Sequence, residues 1–317
     1  PEKKSKILLD HLFAEYGHWE LFVHNSRIFT MRRAGDSIGD FVAFRRKQVD
    51  FRRMITMLLI WTNVALADLG PREVMVKNEE ARKVKNSFAS AVLTTATKAG
   101  KSRTKKFSWW RRLNPDGERY NTLTRFHEPA EIAGEGVLFL EHAKGATSDE
   151  EENEVQMYLP NFKKVRRVES QQQSGSFMGS DFSYSDISTQ KIDDFKYEMK
   201  STDEACGADA RCYQIEAIPA REAVLDRSGY SKMTLWIQKG NFMQARGEYY
   251  DRDSKLVKKM VASEIREVDP AAHKWLAHHL TMENVQKGRT TTLLFTKVDV
   301  TKEIPASTFT VLNLARE

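Results

Sequence analysis

The residues with the most chemistry crowd into Ser174–Ser188, "SGSFMGSDFSYSDIS". This stretch holds six serines, two glycines, the carboxylates Asp181 and Asp186, and the large apolar side chains Phe177, Met178, Phe182 and Tyr184. Such a mixture suits a nucleophile loop, a metal loop or a cover over an apolar cavity. A serine nucleophile needs a histidine base and an acid held against it. The stretch contains no G-x-S-x-G elbow, and His127, His142, His273, His278 and His279 are scattered along the chain. His278 and His279 are neighbours on a strand-like segment, so their rings point to opposite faces and do not readily share a metal. Asp181 and Asp186 lack the D-x-D-x-D-G spacing and terminal Glu of a calcium loop. "YYDRDSKL", Tyr249–Leu256, falls where a hairpin turn is due. The sequence therefore predicts no catalytic residue, no metal site and no cofactor.

Five residues separate Cys206 from Cys212, too many for a C-x-x-C redox motif, and no nearby histidine completes a zinc set. In an oxidising compartment they are expected to close a small disulfide loop; otherwise they are two thiols at the ends of a turn. The compartment is signalled by "FRRMITMLLIWTNVALADLG", Phe51–Gly70. Arg52 and Arg53 precede an apolar run of about a dozen residues, Met54–Val64, and Ala65-Leu66-Ala67 forms a small-x-small cleavage site. The run is short for a membrane anchor, which needs about 20 residues. The expectation is a signal peptide over 49–67, cleaved after Ala67, with export to the periplasm. Residues 1–48 then read as an upstream extension outside the mature fold, with Met31 or Val49 as the start of translation.

The formal charge of +6 is uneven. From residue 68 onward Lys and Arg nearly balance Asp and Glu, and no basic patch is interleaved with aromatic residues, so nucleic acid is not an expected partner.

The elements that must position these residues read as β-structure. After a short amphipathic helix opened by Pro71, period-two segments run from Phe88 to Val300, joined by turns such as Asn114-Pro115-Asp116-Gly117. About eleven strands joined by short turns build one antiparallel sheet, and a sheet of that size curls. Adjacent apolar pairs such as Trp109/Trp110 and Leu138/Phe139 give it two apolar faces. Those faces need two covers: a helix or lid on the concave side, and a partner or bound ligand on the other.

Three ordered blocks carry a family resemblance. Met157–Ile187, "MYLPNFKKVRRVESQQQSGSFMGSDFSYSDI", resembles the signature of the outer-membrane lipoprotein-sorting, LolA-like family, with Ser185 where the family usually has Glu. Gly229–Met260 resembles that family's double hairpin, with Met243-Gln244 where a Pro is usual, and Phe309–Leu314, "FTVLNL", resembles its closing segment. The resemblance covers about residues 68–317. It implies a mainly β (α+β) fold, an open half-barrel with short helices as a lid on its concave side. It also implies a soluble, non-catalytic periplasmic carrier of lipid or lipoprotein acyl chains. Its expected partners are an inner-membrane exporter of the resistance-nodulation-division superfamily and an outer-membrane acceptor. The alternative is a lipid-sensing or scaffold module bound to an envelope exporter.

On this reading Phe177, Met178, Phe182 and Tyr184 are the expected lid or cavity-mouth contacts. Gly175 and Gly179 provide bends, and Phe177 and Phe182 point into the apolar interior. Asp181 is expected to support the segment by capping backbone N–H groups or by pairing with Arg166 or Arg167.

Overall fold

In the computed structural model, residues 5–8, 19–24 and 28–33 are described as strands, and residues 69–141, 153–207 and 210–316 are described throughout. The chain divides into two compact units, Pro1–Ala67 and Asp68–Glu317. In the first, β1 (Ser5–Leu8), β2 (Trp19–His24) and β3 (Ile28–Arg33) form an antiparallel sheet in that order. The signal-peptide segment expected over 49–67 lies outside the described residues, as does most of the expected 1–48 extension.

The second unit opens with helix α1 (Pro71–Ala81), whose Pro71 sits in the first turn, where its missing N–H costs nothing. Thirteen strands follow. The first six are β4 (Asn86–Thr97), β5 (Ser102–Leu113), β6 (Tyr120–Glu128), β7 (Gly136–Leu140), β8 (Glu154–Leu159) and β9 (Lys164–Val168). The second seven are β10 (Phe195–Ala205), β11 (Arg211–Pro219), β12 (Lys232–Gln238), β13 (Gln244–Tyr250), β14 (Leu256–Asp269), β15 (Lys274–Asn284) and β16 (Arg289–Asp299). About eleven strands were expected, and thirteen form. The turns have local causes. Asp116 accepts from the N–H groups of Glu118 and Arg119 at 2.8 and 3.1 Å, and Gly117 takes φ +71°. Asp251 accepts from Asp253 and Lys255 N–H at 3.0 and 2.9 Å, which makes "YYDRDSKL" a turn.

All neighbouring strands of this sheet are antiparallel, and its order is β10-β11-β12-β13-β14-β15-β16-β4-β5-β6-β7-β8-β9. The two halves of the meander join where β16 pairs with β4, Leu293 opposite Leu93. This order makes β9 and β10, although consecutive in sequence, the two opposite edges of an unclosed sheet. The 26 residues 169–194 must therefore carry the chain from one edge to the other. Twelve strand spacings of about 4.8 Å make a flat path of about 58 Å. An extended chain of this length reaches about 90 Å at most, so the span leaves slack for turns.

The sheet is covered on both faces. The main core gathers Ala91, Leu93, Phe126, Phe139 and Met282 with Val74 of α1 and with Phe177 and Phe182 of the crossing segment. On the other face Leu123, Leu138 and Tyr158 pack against Ile304, Phe309 and Leu314. This second cover is the chain's own C-terminal segment, which ends in helix α3 (Val311–Leu314), and not the partner or ligand expected from the sequence. The fit there is close: a Cβ on Gly136 would stand 2.8 Å from Leu314 Cδ1. Among the described residues no helix is long and apolar enough to cross a membrane.

Candidate functional site

The stretch Ser174–Ser188 is the middle of the crossing segment, a strap over the sheet. Its contacts advance strand by strand. Phe177, fully buried, packs with its ring tilted against Phe139 on β7, centroids 6.3 Å apart, and against Phe126 on β6 at 6.2 Å. Lys105 on β5 donates to the carbonyl of Met178. Asp181 reaches β16, and Asp186 reaches β14.

The serines shape this backbone. Ser176 Oγ donates to the carbonyl of Ser180. Ser183 and Asp186 form a reciprocal capping box at the start of the one-turn helix α2 (Tyr184–Ile187): Asp186 N–H donates to Ser183 Oγ at 3.1 Å, and Ser183 N–H to Asp186 Oδ2 at 2.8 Å. Gly179 at φ +76° makes a bend; Met178 before it is also left-handed at φ +51°, a conformation that costs an L-residue about 1–2 kcal/mol.

Two buried carboxylates pin the middle of the strap. Asp181 takes Arg289 Nε and Nη2 on one oxygen at 3.0 and 2.6 Å, and the Thr291 hydroxyl on the other at 2.7 Å. This corrects the expected pairing with Arg166 or Arg167. Both of those arginines are exposed on the edge strand β9, with Arg167 near Glu169 at 3.6 Å, and by residue 181 the strap has already travelled to β16. Asp186 accepts from Tyr230 Oη at 2.9 Å and from Lys258 Nζ at 3.0 Å, and Lys258 also donates to Tyr230 Oη at 2.7 Å. Burial, reinforced by the charge of Asp186, holds the Tyr230 phenol well above its ordinary pKa. Burial likewise pushes Tyr184 up to about 12.

Beyond Asp181 the strap roofs a cavity of about 220 Å³ with Phe182, Asp186, Ser188, Gln190 and Ile192. The floor is apolar, with Met260 on β14 and Leu276, Leu280 and Met282 on β15. Met75 on α1 and Met243 before β13 add two further methionines to the wall. α1 is the second roof element. Asn78 donates to the Phe242 carbonyl at 2.7 Å, Lys274 of β15 donates to the Glu80 carbonyl at 2.8 Å, and Arg72 pairs with Asp193 of the strap at 2.7 Å. Of the four apolar strap residues expected at a cavity mouth, Phe182 lines this cavity, while Phe177, Met178 and Tyr184 are core.

Sequence reasoning did not single out Arg289, Tyr230, Lys258, Arg82 or Arg111. Tyr230 and Lys258 lie within the second resembling block, but only the strand order brings them to Asp186. Cys206 and Cys212 are joined with Cα atoms 5.9 Å apart, at the far end of the β10–β11 hairpin from the strap. His278 is buried and shares its Nδ1 with the carbonyls of Glu264 and Leu276. Among the described residues no cluster of His, Cys, Asp and Glu is placed to hold a metal.

Comparison with known proteins gives a consistent answer. A family model described only as that of an uncharacterized protein matches residues 118–316. A DUF1329 family protein from Desulfovibrio piger has a crystal structure that superposes with a TM-score of 0.69 at 24% identity, over 78% of this chain and 100% of that one. An outer membrane lipoprotein-sorting protein domain from Vibrio parahaemolyticus gives a TM-score of 0.68 at 25% identity, over 78% and 98%. A LolA superfamily protein from Nitrosomonas europaea shares the fold with a TM-score of 0.57 at 18% identity, over 77% and 99%. No curated protein matches the chain. With an unclosed thirteen-stranded antiparallel sheet, a strap across it and a family match over more than half its length, the chain belongs to the family of that model, a LolA-like family.

Proposed function

We propose that this protein is a periplasmic carrier that shelters an acyl chain of a lipid or lipoprotein beneath the strap. The observation that carries this reading is the roofed cavity of about 220 Å³ with methionines Met75, Met243, Met260 and Met282 in its wall. Methionine is unbranched and polarizable, so such a wall adapts to a flexible chain. Burying an acyl chain is worth about 0.8 kcal/mol per CH₂. Extraction from a bilayer therefore needs no chemistry, and the strap serines are left to their turns and caps. Phe182 is the strap residue placed to touch the chain; Phe177, Met178 and Tyr184 support it from the core.

In this reading the chain is exported, the segment 49–67 is removed after Ala67, and residues 1–48 are not in the mature protein. The compartment is oxidising, which suits the Cys206–Cys212 bond. An exporter of the resistance-nodulation-division superfamily in the inner membrane and an acceptor at the outer membrane are the proposed partners.

The test is lipid extraction of the protein purified from periplasm, followed by mass spectrometry, with binding of a fluorescent fatty acid measured in parallel. A stoichiometric lipid or saturable fatty-acid binding is expected. Absence of both would remove the carrier reading. Sequencing of the recovered chain is expected to begin at Asp68, and an earlier first residue contradicts the proposed maturation.

A further inference from the structure

The cavity wall is not uniformly apolar. On one side stand two guanidinium groups, Arg82 just past the end of α1 and Arg111 on β5. Arg111 lies 3.8 Å over the ring of Tyr120 and gives one N–H to the Thr189 hydroxyl at 2.7 Å, while its Nε is buried without a hydrogen-bond partner. No hydrogen bond or ion pair of the Arg82 side chain occurs among the described residues. Burial, and then the neighbouring charge of Arg111, lowers the pKa of Arg82; Glu79 opposes this only in part. Two like charges thus share one end of a half-buried space, and each retains unused donors.

The acids nearby are committed elsewhere. Asp186, the carboxylate in the cavity wall, is neutralised by Lys258 at 3.0 Å and takes the Tyr230 hydroxyl and the Ser183 N–H. Glu141 gives its two oxygens to the backbone N–H groups of Thr189 and Tyr120, at 2.7 and 3.0 Å. Glu79 lies 3.8 Å from Lys83. None of the three forms an ion pair with Arg82 or Arg111. A buried donor left without an acceptor costs free energy, and a guanidinium presents a planar fork that matches a carboxylate or phosphate.

We propose that the cavity selects an anionic single-chain amphiphile, with its carboxylate or phosphate headgroup held by Arg82 and Arg111 and its alkyl chain laid over Met260, Leu280 and Met282. The inference rests on the carrier reading and adds the sign of the headgroup to it. Carboxylate and phosphate share the same anionic oxygens, so a free fatty acid and a lysophospholipid-type phosphate are distinguished by experiment.

The test is calorimetric titration of the delipidated protein with four probes of equal chain length: dodecanoate, dodecyl phosphate, dodecyl maltoside and dodecyltrimethylammonium. The two anions are expected to bind at least about tenfold more tightly than the neutral and cationic probes, since a hydrogen bond to a charged group is worth about a tenfold factor or more. Whichever anion binds more tightly names the headgroup source. Arg82→Gln is expected to remove most of that preference and to leave dodecyl maltoside binding within about twofold; Arg82→Lys keeps the charge but loses the fork, and falls between. Arg111→Gln also loses its stack on Tyr120, so its thermal melt is recorded beside its affinity. Equal binding of all four probes by the wild type, or an unchanged anion preference in Arg82→Gln, overturns the headgroup assignment while the carrier reading stands. Failure of every probe to bind overturns both.

Discussion

The two halves of the strap contrast. From Ser174 to Asp181 it lies flat on the sheet: Phe177 is wedged between Phe126, Phe139 and Tyr184, and Asp181 is sealed by Arg289 and Thr291. From Phe182 to Ile192 the same strap keeps Tyr184 in the core but turns Phe182, Asp186, Ser188, Gln190 and Ile192 to the cavity, and its polar groups reach across to Lys258, Tyr230 and Arg111. One connection forced by strand order thus serves as a staple in its first half and as a roof in its second. The lesson is that stability and function are separable along the nineteen residues 174–192, and that substitutions should sort by half.

The largest expected effect is at the staple. Phe177→Ala removes a fully buried ring and should cost about 3–5 kcal/mol in urea unfolding. Phe182→Ala should cost less, about 2–3 kcal/mol, because one side of its ring already faces the cavity and has few contacts to lose. Affinity for a fluorescent fatty acid should run the other way, weakened by Phe182→Ala and kept by whatever fraction of Phe177→Ala remains folded. Equal stability losses with equal affinity losses would erase the contrast between the halves.

The two anchors come next. Asp186→Asn leaves Lys258, only 10% exposed, without its counter-charge, and should cost about 3 kcal/mol. Asp181→Ala should cost about 2 kcal/mol, because Arg289 keeps 28% of its side chain exposed and can turn to water. Combining Asp186→Asn with Lys258→Met should recover part of the loss by removing the stranded charge, and a double-mutant cycle measures the coupling. Additive losses would mean that the buried triad of Asp186, Lys258 and Tyr230 is not a unit.

The smallest effect near neutrality is on titration. Tyr184 is raised to about 12, and Tyr230 is also raised by burial. A phenol with a raised folded-state pKa ionises first in the unfolded chain, so the folded state holds more protons and stability falls as pH rises. The urea midpoint should be flat from pH 7 to about 9 and should decline above the ordinary phenol pKa of about 10. A midpoint that holds through pH 11 contradicts the burial of these rings.

Much of this was legible in the sequence, for identifiable reasons. The hairpins announced themselves because their turn chemistry is local: Asp116 with Gly117, and Asp251, bond to backbone two to four residues away. The strap was recognisable as a connecting segment with bends because it breaks the period of two. Its partners were not legible. Arg289 stands 108 residues from Asp181 and Lys258 72 from Asp186, and only the closure of β16 onto β4 brings them together. Arg166 and Arg167 looked like partners because they are near in sequence, yet an edge strand cannot follow a chain that leaves it. The second cover of the sheet was missed for a related reason. "FTVLNL" could be matched to a closing block, but nothing local shows that Leu314 presses on Gly136.

The central claim, that the roofed space holds an acyl chain, is tested most directly by filling it. Ala262 lines the cavity on β14 beside the methionine floor. Ala262→Phe places a ring in that space, and fluorescent fatty-acid affinity and thermal melting are measured together on the same preparation. The account predicts that affinity falls at least about tenfold while the melting temperature is held or raised, because a filled cavity adds contacts. Wild-type affinity in a folded Ala262→Phe protein would contradict it.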